Sequence, residues 1–307
     1  RLKLLTAIFT IEVLAYALMS NHKHLLLRTD PGRLKELDAE EVAKRWLRLY
    51  PKRRNKDGTP AVPKREEILA LSRDAKRIEE LKNRLGSLSW FMKSINEDIA
   101  RRANQEDDCK GHFWEGRFQC QRVEDEAAAL SCSIYIDLNP IRAGKAETPE
   151  ESRYTSGWER IKSYKAKERL RAARDGKKLS TKLLAKTERQ AGMDSWLAPL
   201  TAKGNRNGFL TMELSEYLEL LDWTGRELRK DKRGKIPDNL APILERLKLQ
   251  NDQWLELVKS YGGLFCRYVS ASKKMVKAAK RAGLCWFRGV QSARQYFDGR
   301  AVVAAAS

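Results

Sequence analysis

The chain has 307 residues, 61 Lys+Arg against 41 Asp+Glu, a formal charge of +20 and 42% hydrophobic residues. That is enough apolar material for one large or two modest domains, and two is the expectation taken forward. The longest apolar run, residues 4–19, is broken by Thr6, Thr10 and Glu12 and falls short of the ~20 apolar residues of a membrane span, so no membrane partner is expected.

In chain order, residues 1–9 read as a helix, and residues 11–19 and 22–27 as two strands around a short Ser20-Asn21 turn. Residues 51–63 have the Pro, Gly and Lys/Arg content of an exposed loop, and residues 65–103 the pattern of one or two amphipathic helices interrupted near Gly86. Residues 111–118 read as loop and strand. A helix from about Asp125 to Asn139 is expected to stop at Pro140. Beyond residue 159 the pattern is helical and basic, with Thr211 as N-cap of a helix over 212–224 and further helices over 240–247 and 252–261.

Five cysteines (Cys109, Cys120, Cys132, Cys266, Cys285) form no CxxC pair, which argues against a zinc knuckle or disulfide framework and for a reducing, cytoplasmic setting. The chain opens on Arg1 without a signal pattern and reads as the cut edge of something longer. Its positive excess makes nucleic acid the leading partner, through counterion release. Residues 159–189 hold twelve basic against four acidic residues, a density that suits either a charged linker helix or a polyanion contact.

His22 and His24 are two of only three histidines, and in a strand the period of two puts both imidazoles on one face. An isolated His-x-His is more often two ordinary polar residues. Here it sits between Ala15-Tyr16-Ala17-Leu18-Met19 and Leu25-Leu26-Leu27, where two imidazoles carry a cost unless something binds them. Tyr135 and Asn139, four apart on a predicted helix, share a face.

Three blocks, Leu18-Met19-Ser20-Asn21-His22-Lys23-His24-Leu25-Leu26, then Phe113-Trp114-Glu115-Gly116-Arg117-Phe118, then Tyr135-Ile136-Asp137-Leu138-Asn139-Pro140-Ile141-Arg142-Ala143-Gly144, resemble in order the signatures of the single-tyrosine HUH transposases. They are most similar to those of the REP-associated tyrosine transposases, and the resemblance, which includes Ser152-Arg153-Tyr154-Thr155-Ser156, spans about residues 1–160. It implies an α+β chain with a ferredoxin-like βαββαβ domain that nicks single-stranded or hairpin DNA. Tyr135 would attack a phosphate, leaving a 5′-phosphotyrosine link and a free 3′-OH. A free phenol is a weak nucleophile at neutral pH and needs activation. The resemblance further implies a divalent ion on His22 and His24, Asn139 as third ligand, and Mg2+ or Mn2+ as the metal. Arg117 and Arg142 are candidate phosphate contacts, as are Lys162 and Lys165 of the basic run; for Arg142 a helix-end cation is the plainer alternative. His112 reads as a surface or DNA-contacting residue, Trp114 as core, and Lys23, pointing to the opposite strand face, has no role.

The chain departs from that pattern in two places. The strand expected before the first helix is missing: a complete chain would lose the neighbour of the histidine strand and expose its edge, whereas for a fragment of a longer reading frame the inference to activity stands for the parent protein; and residues 34–84 form an insertion larger than compact family members need. A basic linker over 161–205 and a helical extension over 206–307 complete the expected domain plan. The extension is similar to those of longer family members and suits added DNA contact or plain helical packing. Two rivals stand beside the transposase expectation: a catalytically degenerate binder of single-stranded or hairpin DNA, and an RNA-binding helical protein. The setting expected is bacterial and nucleoid-associated, and both a monomer and a homodimer are open.

Overall fold

The computed structural model describes residues 1–57, 59–175, 180–230 and 253–298, with backbone alone at 229 and 230. The chain is α+β, and no helix among the described residues is long and apolar enough to cross a membrane. Contacts divide it into two compact units, residues 1–13 with 27–119 and residues 14–26 with 120 onward. The division thus falls elsewhere than at residue 160, and the predicted linker and extension share a unit with the hairpin tip.

In the first unit, α1 (Leu2–Ile8) buries Leu2, Leu5 and Ile8. The base of the hairpin, where β1 (Ile11–Leu18) begins and β2 (Lys23–Thr29) ends, is tied by the Arg28 fork on Glu12, Nη2 at 2.6 Å and Nε at 3.0 Å. The insertion is helical: α2 (Pro31–Glu36), α3 (Ala39–Leu49), α4 (Arg65–Ser72) and α5 (Ala75–Leu85) precede α6 (Leu88–Glu106). Asp30, Asp38, Asp74 and Ser87 each accept a backbone N–H at a helix start, local caps that the sequence carries in plain view. The expected break at Gly86 is present, and Asp74 adds a second one, so residues 65–103 make three helices. Residues 111–121 form no strand and are almost wholly exposed, a correction to the strand expected there. Trp114 is anchored there by its indole N–H donating to Asn96 O at 3.0 Å.

The second unit starts with the hairpin tip. Met19 N–H donates to His22 O at 2.9 Å across Ser20-Asn21, so the turn is the one expected, and β2 begins at Lys23. β1 and β2 make one two-stranded sheet. The other pairs β3 (Arg122–Val123) in parallel with β4 (Tyr268–Val269), nearly 150 residues on. α7 (Glu126–Asp137) is capped by Asp125, whose other oxygen accepts from Ser270 Oγ and Ala271 N, so one carboxylate ties the helix start to the chain after β4. α7 ends at Asp137, before Pro140 as expected, and Pro140 occupies the first turn of a separate short helix, α8 (Asn139–Arg142), where its missing N–H costs nothing. α9 (Ser156–Arg174) and α10 (Thr181–Ala191) pack on each other through the predicted linker region, with Ser163 Oγ donating to Ala191 O at 2.7 Å.

α11 (Leu214–Lys230), α12 (Trp254–Leu264), α13 (Ser272–Arg281) and α14 (Val290–Tyr296) close the unit. Thr211 is not the N-cap of α11: its N–H and hydroxyl both go to Glu126, and Glu213 N is capped by Glu216 at 2.7 Å. The core gathers Leu130 and Ile134 of α7, Tyr217 and Leu221 of α11, Trp254 and Tyr261 of α12, and Met275 of α13. Helix 240–247, the start of 252–261 and Lys177 and Lys178 lie outside the described residues.

Candidate functional site

The hairpin tip packs on α7 through Leu14, Ala15, Ala17 and Leu26, which cluster with Ile136 and Ala198. This contact brings the histidines to the tyrosine helix. His22 and His24 face each other edge to face, with ring centroids 4.9 Å apart. His24 meets Tyr135 at 5.7 Å, again edge to face. The Arg142 guanidinium lies over the Tyr135 ring at 4.4 Å and donates to Lys259 O at 2.6 Å. Four residues from the first and third sequence blocks thus form one contiguous chain of rings and a cation. Arg142 also stands in the last turn of α8, the helix-end placement given above as its plainer reading.

The two imidazoles differ in setting. His22 is exposed, and its Nδ1 is 2.7 Å from Asn21 Oδ1, an acceptor; in the neutral ring this leaves the lone pair on Nε2. His24 is half-buried, and burial, followed by the positive charge of His22 and Arg142, pulls its pKa from 6.5 down to about 4. It is therefore neutral at physiological pH, the form that ligates metal. Lys23 between them is half-buried, and desolvation lowers its pKa.

Asn139 is 6% exposed and its Nδ2 has no hydrogen-bond partner. A buried amide left this way costs about 1–3 kcal/mol, a local penalty of the kind that binding sites retain. Among the described residues no three or more His, Cys, Asp or Glu are grouped so that they could hold a metal ion by themselves. An ion on His22 and His24 would take two imidazole nitrogens, completed by oxygens from water or phosphate. That donor set fits a hard divalent ion completed by its substrate. Arg142 beside it opposes a lone cation and favours a phosphate, so ion and phosphate reinforce each other at this locus.

Two contributions come from outside the predicted site residues. α12 lies against the phenol: the Tyr261 ring is 5.3 Å from that of Tyr135, and a Cβ placed on Gly262 would stand 2.5 Å from the Tyr135 hydroxyl oxygen. A Gly262-Gly263 pair inside a helix is a propensity penalty, and that is the one signal of this contact legible in the sequence. The second is Asp137, 1% exposed, whose carboxylate accepts from Ser156 Oγ, from Gly157 N at 2.8 Å and from the Tyr217 hydroxyl at 2.7 Å. Burial raises its pKa, while these donors and the Arg160 charge work the other way. Ser156 also receives Tyr16 N–H at 2.9 Å, so residues 152–156 join β1 to α7.

Arg117 and His112 are exposed in the loop of the first unit. Lys162 sits 5.8 Å from the Trp158 ring centroid, and Lys165 pairs with Glu150 at 3.0 Å. Of the basic run, Arg160 is buried, donating to Leu14 O and Ala198 O, and Lys167 pairs with Asp194. Arg169, Arg174, Lys182, Lys186 and Arg189 of the run are exposed. No protein-family model, curated protein or solved structure matches the chain.

Proposed function

We propose that the chain is a metal-dependent DNA strand-transfer nuclease of the single-tyrosine HUH transposase type, acting on single-stranded or hairpin DNA. The observation that carries this is the continuous contact His22–His24–Tyr135–Arg142, which sets two metal-capable imidazoles, a phenol and a phosphate-binding guanidinium at one place. Tyr135 Oη attacks the scissile phosphorus; the new P–O(Tyr) bond replaces the P–O3′ bond, and the released 3′ oxygen takes up a proton. Arg142, stacked on the phenol, positions that phosphate and balances its charge. His22 and His24, with Asn139 as the third ligand the resemblance implies, would hold Mg2+ or Mn2+, which supplies Lewis-acid polarisation of the phosphate.

The order α1–β1–β2 followed by helix corresponds to the αββα middle of a βαββαβ domain, and this supports the finer fold assignment, although among the described residues β1 and β2 pair only with each other. A cytoplasmic, nucleoid-associated setting goes with this activity. The degenerate-binder reading draws support from the packing of the Tyr135 hydroxyl against α12. Denaturing gel analysis with hairpin-bearing single-stranded DNA and Mn2+ separates the two. A covalent adduct is expected, absent in Tyr135→Phe and in His22→Ala/His24→Ala while DNA binding persists. Tight binding with no adduct on any substrate drawn from the flanks of its own gene would establish the binder instead.

A further inference from the structure

A second charged surface lies on the C-terminal helices and has no part in the site above. α13 buries Ser272, Met275 and Ala279. At ~100° per residue these share one narrow arc, and Lys273, Lys274, Lys277, Lys280 and Arg281, all exposed, fill about 120° of the opposite side. Solvated helix faces elsewhere in the chain mix signs: Arg77 and Arg84 meet Glu80, Arg101 meets Glu97, Arg171 meets Glu168. α13 has no acidic residue at all, and residues 270–297 hold seven Lys or Arg with no Asp or Glu. An unneutralised face of this kind stores repulsion that a polyanion relieves.

The chain leaving α13 turns at Gly283, φ 68°, a left-handed conformation suited to glycine. It then presents Leu284 at 40% and Trp286 at 67% exposure. The adjacent Phe287 is inserted instead, stacked on Tyr268 with rings 5.5 Å apart and 1° from parallel. That stack fixes the segment, so the exposed indole rides on an anchored backbone beside the cationic helix. A row of phosphate-capable cations next to one exposed aromatic is the composition of a surface that tracks a single-stranded backbone and stacks a base. A lipid surface would call for more apolar neighbours than Leu284 alone.

We propose that α13 and Trp286 form a binding platform for single-stranded nucleic acid, with Trp286 stacking on a base and the α13 cations contacting phosphates. The platform does not depend on the Tyr135 chemistry. Fluorescence anisotropy with oligo(dT) and with an abasic backbone of the same length tests it. The parent is expected to prefer the base-bearing strand by about 5- to 100-fold. Trp286→Ala should remove that preference, and Lys273→Gln/Lys277→Gln/Arg281→Gln should lower the slope of log affinity against log salt by about 2. Because the indole is exposed, the fold of Trp286→Ala, followed by circular dichroism, should be unchanged. Equal binding of both strands by the parent and Trp286→Ala overturns the proposal. So does a Trp286-dependent shift in gel filtration, or binding to phosphatidylserine vesicles without a base preference, since these assign the surface to a protein or a lipid. A Trp286-dependent base preference in a parent that forms no adduct would leave the platform standing and remove the nuclease.

Discussion

Gly262→Ala places one methyl group where the Tyr135 hydroxyl now sits. The added Cβ would lie 2.5 Å from Oη and 3.2 Å from Cζ, against the roughly 3.3 Å that carbon and oxygen need, so phenol and helix must separate by nearly 1 Å. Relaxing such an overlap costs about 1–3 kcal/mol, offset by about 0.5–1 kcal/mol from replacing glycine inside a helix. The net is a destabilisation of about 0.5–2 kcal/mol. A displacement of this size in a reacting group lowers rate about 100-fold. Gly263→Ala is the control: it makes the same exchange one residue on, where a Cβ meets nothing within 4 Å, and should gain stability and leave rate unchanged. Single-turnover adduct formation in Mn2+ measures the rate, anisotropy at matched salt the binding, and urea unfolding the stability. Equal rates and equal stabilities in the two variants would refute the claim that α12 seats the phenol.

Other expectations follow from the same contacts. The unfolded His24 imidazole titrates near 6.5 and the folded one at about 4, so its contribution to stability is complete above 6.5 and is lost as pH falls towards 4. Discounted for partial exposure, the loss is about 1–2 kcal/mol; urea unfolding at pH 7 and pH 4.5 should show it in the parent and not in His24→Gln. Asp137→Ala strands three donors and the nearby Arg160 charge and should cost about 3–5 kcal/mol, whereas Tyr217→Phe, removing one donor, should cost about 1–2 kcal/mol by the same assay. Arg142→Lys keeps the charge and loses the planar fork over Tyr135. Its adduct rate should fall about 10-fold while the salt dependence of binding is retained; an unchanged rate would remove Arg142 from phosphate positioning.

Local signals account for what was legible in the chain alone. The polar Ser20-Asn21 break between β-prone runs marked the hairpin, but the strand expected from His22 begins at Lys23, and His22 meets His24 from the turn. The helix starts at Asp30, Asp38, Asp74, Ser87 and Asp125 are likewise matters of a few neighbouring residues. Where a local rule failed, a distant partner was responsible: Thr211, well suited to cap a helix, is taken by Glu126, 85 positions earlier. Pro140 marked an end that α7 reaches at Asp137, and the proline itself opens α8, because the first turn of a helix tolerates a missing N–H. The approach of Tyr135 to His24, the seating of its hydroxyl on Gly262 and the closing of Ser156 and Tyr217 on Asp137 join segments from 19 to more than 100 residues apart. No propensity or spacing carries such contacts. They are settled when apolar faces from separate segments must be buried together and each polar group drawn in with them has to find a partner.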